Sequence, residues 1–297
     1  MTKLHFCNIT LADRKVYMSY PCDGPNSKFS FAQGFMWKQA YRLQLCRDIP
    51  GALLFLSQQD EQTPQFVSPL LKPNANIKAC MEAMREYSKE NGFPFRMGYV
   101  CPTVKDQIEA QCPQEYRFSL RREDSEYIYL TQSLSTLAGK QLHQKRNHVN
   151  TFMRKYDYTF RPYCKEDFEA CMALQRSWAA EKDSTDSAAE TEAICLALSH
   201  YDELELRAGV IELDGAIRAF SIGEKITDFA VILIEKADIA YSGLFQVINR
   251  DTVANLFSDT ELINRCEDMG IEGLRKAKLS YHPAFLLDKY ECFLAEE

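Results

Sequence analysis

The pair Asp214-Gly215 stands between two runs that read as strands, RAGVIEL and AIRAFSIGE. The tightest hairpin turns need positive φ at both central residues, and Asp-Gly is among the few pairs that accept it. An antiparallel hairpin is therefore fixed at this point, and its neighbours narrow the fold further. FAVILIEK follows as a third strand, apolar enough to be covered on both faces. Before the hairpin, residues 158–163 alternate like a strand, and two helical patterns come next. Phe168, Cys171, Met172, Trp178 and Ala179 make one apolar stripe, interrupted only by Gln175; Ile194, Ala197, Leu198, Tyr201 and Leu204 make the other. After the third strand come a helix (Leu244, Val247, Ile248, Ala254, Phe257), the short strand TELIN, a helix over 272–281 and a final strand DKYECFL. This order, β-α-α-β-β-β-α-β-α-β, describes an α/β (α+β) unit with a mixed sheet flanked by helices.

A related order runs through the first half. Residues 16–20 read as a strand, and a helix passes through Phe31, Phe35, Trp37, Lys38 and Tyr41. Strands YRLQLC, ALLFLS and QFVSPLL follow. The helix NIKACMEAMREYSKENG carries its stripe on Ile77, Cys80, Met81, Met84 and Tyr87, with Asn91-Gly92 as its stop. FRMGYV, the helix TVKDQIEAQ, and strands YRFSL and YIYL close the unit. We read a diverged duplicate of the second half. The charged stretch 122–125 sets the boundary, giving domains at 1–125 and 126–297, with a long basic helix over 134–156 connecting them.

Composition bounds the partners. The net charge of −7 argues against a surface that coats DNA, so an anionic partner has to be met by a local patch. The eleven cysteines are odd in number, irregularly spaced and free of any C-x-x-C pair. That pattern predicts neither a disulfide framework nor a zinc site, and it suits a reducing cytoplasm. No run of about 18 apolar residues exists to span a membrane, and MTKLHFCNIT lacks the features of a signal peptide.

The cations gather in two places. From Gly139 to Arg161 there are six Lys/Arg and one acid, Asp157. On a helical wheel Leu142, Val149, Phe152, Met153 and Tyr156 form an apolar side. His143, Asn147, Asn150 and Arg154 form a polar stripe, flanked by Lys140 and Arg146, that can hold the phosphates of a tRNA acceptor end or simply face solvent. Lys145 points toward the apolar side, where it can snorkel or pair with a carboxylate in a cleft. The second gathering follows the strand TELIN. Asn264, Arg265, Glu267 and Asp268 sit where ligands collect in α/β sheets, at a strand end. The adjacent carboxylates can supply a general base, or can cap the next helix. Arg275, Lys276 and Lys278, with Tyr281, follow in GLRKAKLSYHP, a stretch without an acid, and offer phosphate ligands or helix-end cations. Glu235, Asn249 and Arg250 flank the same expected cleft. No serine elbow or cysteine–histidine pair supports a covalent nucleophile.

The stretches YIYLTQSLSTLAGKQLHQKRNHVNTFMRKY, IEKADIAYSGLFQVINR and LINRCEDMGIEGLRKAKLSYHP, with FSFAQGFMWKQAY near the start, resemble the soluble, stand-alone branch of the phosphatidylglycerol lysyltransferase C-terminal domain family. The resemblance implies two tandem acyl-CoA N-acyltransferase-like (GCN5-related) domains. It also implies kinship with enzymes that move an amino acid from aminoacyl-tRNA to a lipid or a peptidoglycan precursor. The multi-helix membrane region that precedes this unit in lipid-modifying relatives is not in the sequence, so the expected acceptor is a soluble amine, a peptide or a cell-wall precursor. The junction EKADIAYSGLFQ holds only Gly243 where acetyltransferases carry a glycine-rich pyrophosphate loop, which favours aminoacyl-tRNA over a CoA thioester as donor. The alternatives are a CoA-dependent N-acyltransferase and a non-catalytic module of the same fold that binds an anionic ligand.

Overall fold

Asp214 and Gly215 take φ of 53° and 72°, and the strands they join pair in the expected register. Around this hairpin the computed structural model, which describes residues 2–59, 63–180 and 185–295, divides into two units. Unit 1 comprises Met1–Glu126 and Leu287–Glu297; unit 2 comprises Tyr127–Leu286.

Unit 1 runs β1 (Cys7–Asn8), α1 (Arg14–Tyr17), α2 (Phe31–Met36), β2 (Gln44–Cys46), β3 (Ala52–Ser57), β4 (Gln65–Leu71), α3 (Ile77–Glu90), β5 (Arg96–Val100), α4 (Pro102–Gln111) and β6 (Tyr116–Leu120). Then come β7 (Glu126–Leu130), α5 (Thr131–Thr136), α6 (His143–Lys155), β8 (Tyr158–Pro162), α7 (Phe168–Ala180), α8 (Thr185–Ser199), β9 (Arg207–Leu213) and β10 (Ala216–Lys225). The chain ends with β11 (Phe229–Ala237), α9 (Leu244–Leu256), β12 (Leu262–Asn264), α10 (Glu272–Leu279), β13 (Phe285–Leu287) and β14 (Tyr290–Leu294). One sheet is ordered β1-β2-β3-β4-β5-β14-β6, the other β13-β7-β12-β11-β10-β9-β8. Each contains an antiparallel run followed by a single parallel pair, β4 with β5 and β11 with β12, joined through α3 and α9. The cores are apolar and separate: Phe66, Met81, Met97 and Ile108 in unit 1, Phe152, Val247, Phe257 and Ile263 in unit 2. Among the described residues no helix is long and apolar enough to cross a membrane.

Three sequence expectations are corrected. The final strand β14, assigned to the second domain, lies between β5 and β6, and β7, read as closing the first, lies between β12 and β13. Alternation specifies which faces of a strand are buried but not which sheet receives it. The expected strand at 16–20 is instead the short helix α1, entered through a turn in which Thr10 donates from its N–H and hydroxyl to Asp13 Oδ2 at 2.7 and 2.9 Å. The single basic helix over 134–156 is two helices. Leu137 (φ 50°) and Gly139 (φ 86°) are left-handed, which ends α5. Arg146 Nη1 then donates to the carbonyls of Leu137 and Gly139 at 2.5 and 3.2 Å, so this predicted ligand residue fastens the bend.

A buried ion pair anchors the C-terminal strand in its sheet. Lys289 Nζ lies 2.8 Å from Glu126 Oε1 and donates to Asn26 Oδ1 at 2.5 Å, with both charged side chains nearly inaccessible. Ser27 adds its N–H (3.0 Å) and hydroxyl (2.5 Å) to the same carboxylate. Burial alone would raise the Glu126 pKa; Lys289 and Ser27 outweigh it and hold the group below its ordinary value. Lys289→Met leaves the carboxylate buried without its cation, and urea unfolding should show a loss of about 3–5 kcal/mol. The depressed pKa makes the contribution of Glu126 complete above the unfolded carboxylate value, about 4.3, and lost as pH falls below it. The stability gap between wild type and Glu126→Gln should therefore narrow in acid.

Candidate functional site

The wedge in unit 2 follows from a short ladder. β11 and β12 pair through Phe229–Leu262, Ala230–Ile263 and Val231–Asn264, after which β11 continues to Ala237 paired with β10 but not with β12. A bulge at Leu233, where Ile222 and Gly223 face Ile234 and Ile232, bends β11 at the same level. The two strands diverge, and the first residue past β12 is Arg265.

Arg265 crosses the opening. Its Nη2 lies 3.2 and 3.4 Å from the two oxygens of Glu235 on β11, and its guanidinium sits 4.8 Å from the ring centroid of Tyr281 and 5.7 Å from that of Tyr129. Both charged side chains are only 13% exposed. Burial disfavours the charged form of Arg265, but Glu235, together with Tyr129, Tyr281 and Cys266, outweighs it and the pKa is raised. Asn249, from α9, donates Nδ2 to Glu235 Oε2 at 2.9 Å. Ser221 lies directly opposite Glu235 in the β10–β11 ladder and shares its face. Polar capacity is left over here: Arg265 Nη1, Asn249 Oδ1 and Ser221 Oγ are buried with no hydrogen-bond partner among the described residues, an arrangement that native proteins keep rare. Lys145, from α6, lies with Nζ 4.4 Å over the Tyr281 ring. Burial, and then the neighbouring Arg265, push its pKa down. The wedge thus gathers two cations against one carboxylate, with an unpartnered guanidinium donor, an unpartnered amide acceptor and a hydroxyl that can act as either.

The loop that aims Arg265 is fixed from behind. Lys278 is buried on α10, and its Nζ donates to the carbonyls of Arg265, Cys266 and Glu267 at 2.5, 3.2 and 2.6 Å. Burial lowers its pKa. Cys266 takes φ 57°, unusual for a residue with a side chain, and its N–H donates to Asn264 Oδ1 at 2.7 Å. Lys278 and Asn264 therefore shape the loop, and neither offers its polar end to a ligand in the way the sequence suggested.

Asp268, expected as part of a general base, is fully buried. Its carboxylate accepts from Tyr127 Oη (2.6 Å), the Gly270 N–H (2.9 Å) and Arg275 Nε and Nη2 (2.8 and 2.9 Å). Burial works to raise its pKa, but these donors, Arg275 first, drive it well below the carboxylate range. With its lone pairs occupied and its proton affinity so low, Asp268 is a loop anchor, and Arg275 is its partner instead of a phosphate ligand. Glu267 is half-buried on the same loop. Arg250 also turns away, bonding Asp251 Oδ1 at 2.6 Å and the Tyr158 hydroxyl at 2.9 Å. Lys140, His143, Asn147, Asn150 and Lys276 are exposed, the α6 residues on its solvent face. Lys145, for which the sequence offered snorkelling or a carboxylate partner, meets the Tyr281 ring. Of the predicted residues, the wedge brings together Lys145, Glu235, Asn249, Arg265 and Tyr281. Tyr129 and Ser221 were not foreseen. The first reaches the wedge because β7 joins this sheet, and the second carries no signal beyond a polar residue in an apolar strand.

The junction between β11 and α9 bears on the donor. Gly243 has φ 95°, and a Cβ there would lie 2.9 Å from the His148 carbonyl of α6. The glycine serves a tight helix–helix approach. Leu244, Gln246 and Val247 already donate their N–H groups to Tyr241 and Gly243 carbonyls at 3.1 Å, which leaves few free donors for a pyrophosphate.

Residues 23–293 match the profile of the family described as phosphatidylglycerol lysyltransferase, C-terminal. A conserved protein of unknown function from Bacteroides thetaiotaomicron VPI-5482 is 32% identical, superposes with a TM-score of 0.91, and matches over 98% of this chain and 99% of its own. L-PGS from Bacillus licheniformis shares the fold, with TM-score 0.71 at 13% identity over 96% of this chain and 92% of that one. A tandem acetyltransferase-type protein from the clavulanic acid biosynthesis pathway also shares it, with TM-score 0.53 at 11% identity over 99% of each chain. An uncharacterized Mycoplasmoides gallisepticum protein is 28% identical over 178 residues, 58% of this chain and 56% of that protein, so the match spans about half of that curated relative. The family match covers nearly the whole sequence, and each sheet carries an antiparallel run followed by a parallel pair flanked by helices: the chain belongs to the phosphatidylglycerol lysyltransferase C-terminal domain family and has its tandem GCN5-related acyltransferase fold.

Proposed function

We propose that the chain is an acyltransferase of the aminoacyl type, taking its acyl group from aminoacyl-tRNA and passing it to an amine or hydroxyl acceptor. The observation that carries this reading is the pairing of unlike polar capacity inside one wedge. An aminoacyl ester presents an ammonium and, two atoms away, a carbonyl whose oxygen becomes negative during attack. Glu235 and the free Asn249 Oδ1 suit the first; the free Arg265 Nη1 and the Lys145 ammonium suit the second. The ester is already activated, so positioning and charge stabilisation are the main demands on the protein. Glu267, half-buried on the loop after β12, is the carboxylate assigned to receive the acceptor's proton. The exposed His143, Asn147 and Asn150 with Lys140 provide a polar, basic face for the tRNA end. Family membership supports the reaction class, and the use of Gly243 in helix packing weighs against coenzyme A.

A non-catalytic binding module is the second reading, and the occupied lone pairs of Asp268 favour it. Incubation with tRNA charged with labelled amino acid, followed by counting of label in a small-molecule or peptide fraction, separates the two. Loss of one oxyanion donor typically costs about 10²–10³ in rate. Arg265→Gln should therefore reduce transfer by roughly that factor while a thermal melt stays cooperative, whereas Glu267→Gln should lower turnover with little change in donor affinity. Full transfer by Arg265→Gln would remove the wedge from the reaction. Binding of charged tRNA without transfer, across a panel of acceptors, would favour the module.

Lys145 gives the site a pH signature. Its lowered pKa means that it loses its charge at a lower pH than a free lysine, whose value is about 10.4. Affinity for the donor should decline on the alkaline side before that value is reached, and Lys145→Met should abolish this limb of the profile.

A further inference from the structure

On the opposite side of the β9–β10–β11 sheet from α9, a groove of about 580 Å³ lies between α7 and the turn end of the hairpin. That volume is within the range of small-molecule sites. Its apolar wall is Ala173, Leu174 and Trp178 from α7 with Ile217 and Ile239 across from them. Its polar side is made by Asp167, Glu212, Asp238 and Arg218.

The state of those charges defines what the groove accepts. Asp167 is committed: Arg161 forks onto both its oxygens at 2.6 and 2.7 Å, and the Cys164 N–H adds a third bond at 2.9 Å. The guanidinium holds its pKa down at about 2. Glu212 accepts from Arg161 Nη2 through Oε1 alone, at 2.6 Å, and its side chain is 41% exposed. Asp238 accepts the Ala240 N–H at 3.0 Å and faces Arg218 Nη1 at a long 3.4 Å. Three carboxylates thus face two guanidinium groups, and the surplus negative charge sits on the accessible pair, Glu212 and Asp238. Trp178 closes the apolar wall beside them, its ring already carrying Lys236 Nζ 3.6 Å from the centroid. The groove is not part of the wedge, whose residues lie on the α9 face.

We propose that this groove is a binding site for a primary ammonium attached to a short apolar body, such as the free amino end of a peptide that begins with an aliphatic residue. The ammonium sits between Glu212 and Asp238, and the apolar body lies along Leu174, Ile217 and Trp178. The site stands independently of the transfer reaction, because its occupancy is read by equilibrium binding without any tRNA.

Isothermal titration of the full chain with leucyl-alanine amide, and with the same peptide N-acetylated, tests it. Saturable binding of the free amine is expected, with at least a tenfold loss on acetylation and a similar loss in Glu212→Gln. Leu174→Trp, which fills the groove, should abolish binding while the melting temperature and any transfer activity persist. Equal binding of the two peptides, no binding of the free amine up to about 10 mM, or unchanged affinity in both variants would overturn the assignment.

Discussion

Unit 2 depends on a failure of pairing. β11 and β12 run parallel for three residue pairs and then separate, because a bulge at Leu233 bends one strand while the other ends. The separation exposes backbone and opens the interior, and the protein closes it with an arginine rather than an apolar side chain. Arg265 spans from one strand to Glu235 on the other, stacked against tyrosines that keep water away. A buried charge of this kind persists only where it is paired, and here the pair is incompletely satisfied by protein. The remaining hydrogen-bonding capacity is what distinguishes a site from a structural bridge.

The rest of the unit can be traced from that closure. Lys278 holds three successive carbonyls so that Arg265 leaves the loop in one direction. Asp268 and Arg275 lock the following turn onto Tyr127. Gly243 lets α6 and α9 approach closely, which brings Lys145 onto Tyr281. Unit 1 repeats the short parallel pairing, with Phe66–Met97 and Val67–Gly98, but β5 is followed by Cys101, whose thiol receives Lys28 Nζ at 3.0 Å. The duplicated scaffold therefore carries different chemistry at corresponding strand ends.

Much of this was readable from residues. Asp214-Gly215 marks the hairpin, the stripe through Ile77, Cys80, Met81 and Met84 marks α3, and the element order yields five strands of the unit 2 sheet, β8 to β12. What could not be read was the exchange of β7 and β14, since a strand's alternation is the same in either sheet. Errors at the site share that origin. Glu267-Asp268 looked like a reactive pair because sequence shows neighbours and not partners. The partners of Asp268, Tyr127 and Arg275, come from β7 and α10, and they convert it into an anchor. Arg146 was misread for the same reason: its guanidinium is spent on carbonyls exposed by a bend that Leu137 introduces without a glycine or proline at its own position. Lys145, by contrast, was correctly marked as unusual, because a lysine on an apolar helix face must either snorkel or find a buried partner.

The central claim is that Arg265 and its neighbours form a ligand site. The most direct measurement is titration of the protein, labelled with ¹⁵N-arginine, with adenosine carrying an amino acid through a stable 3′-amide in place of the ester. Saturable displacement of the Arg265 guanidinium resonances, abolished by Glu235→Gln, is the predicted result. Saturable binding that leaves Arg265 unmoved would contradict it.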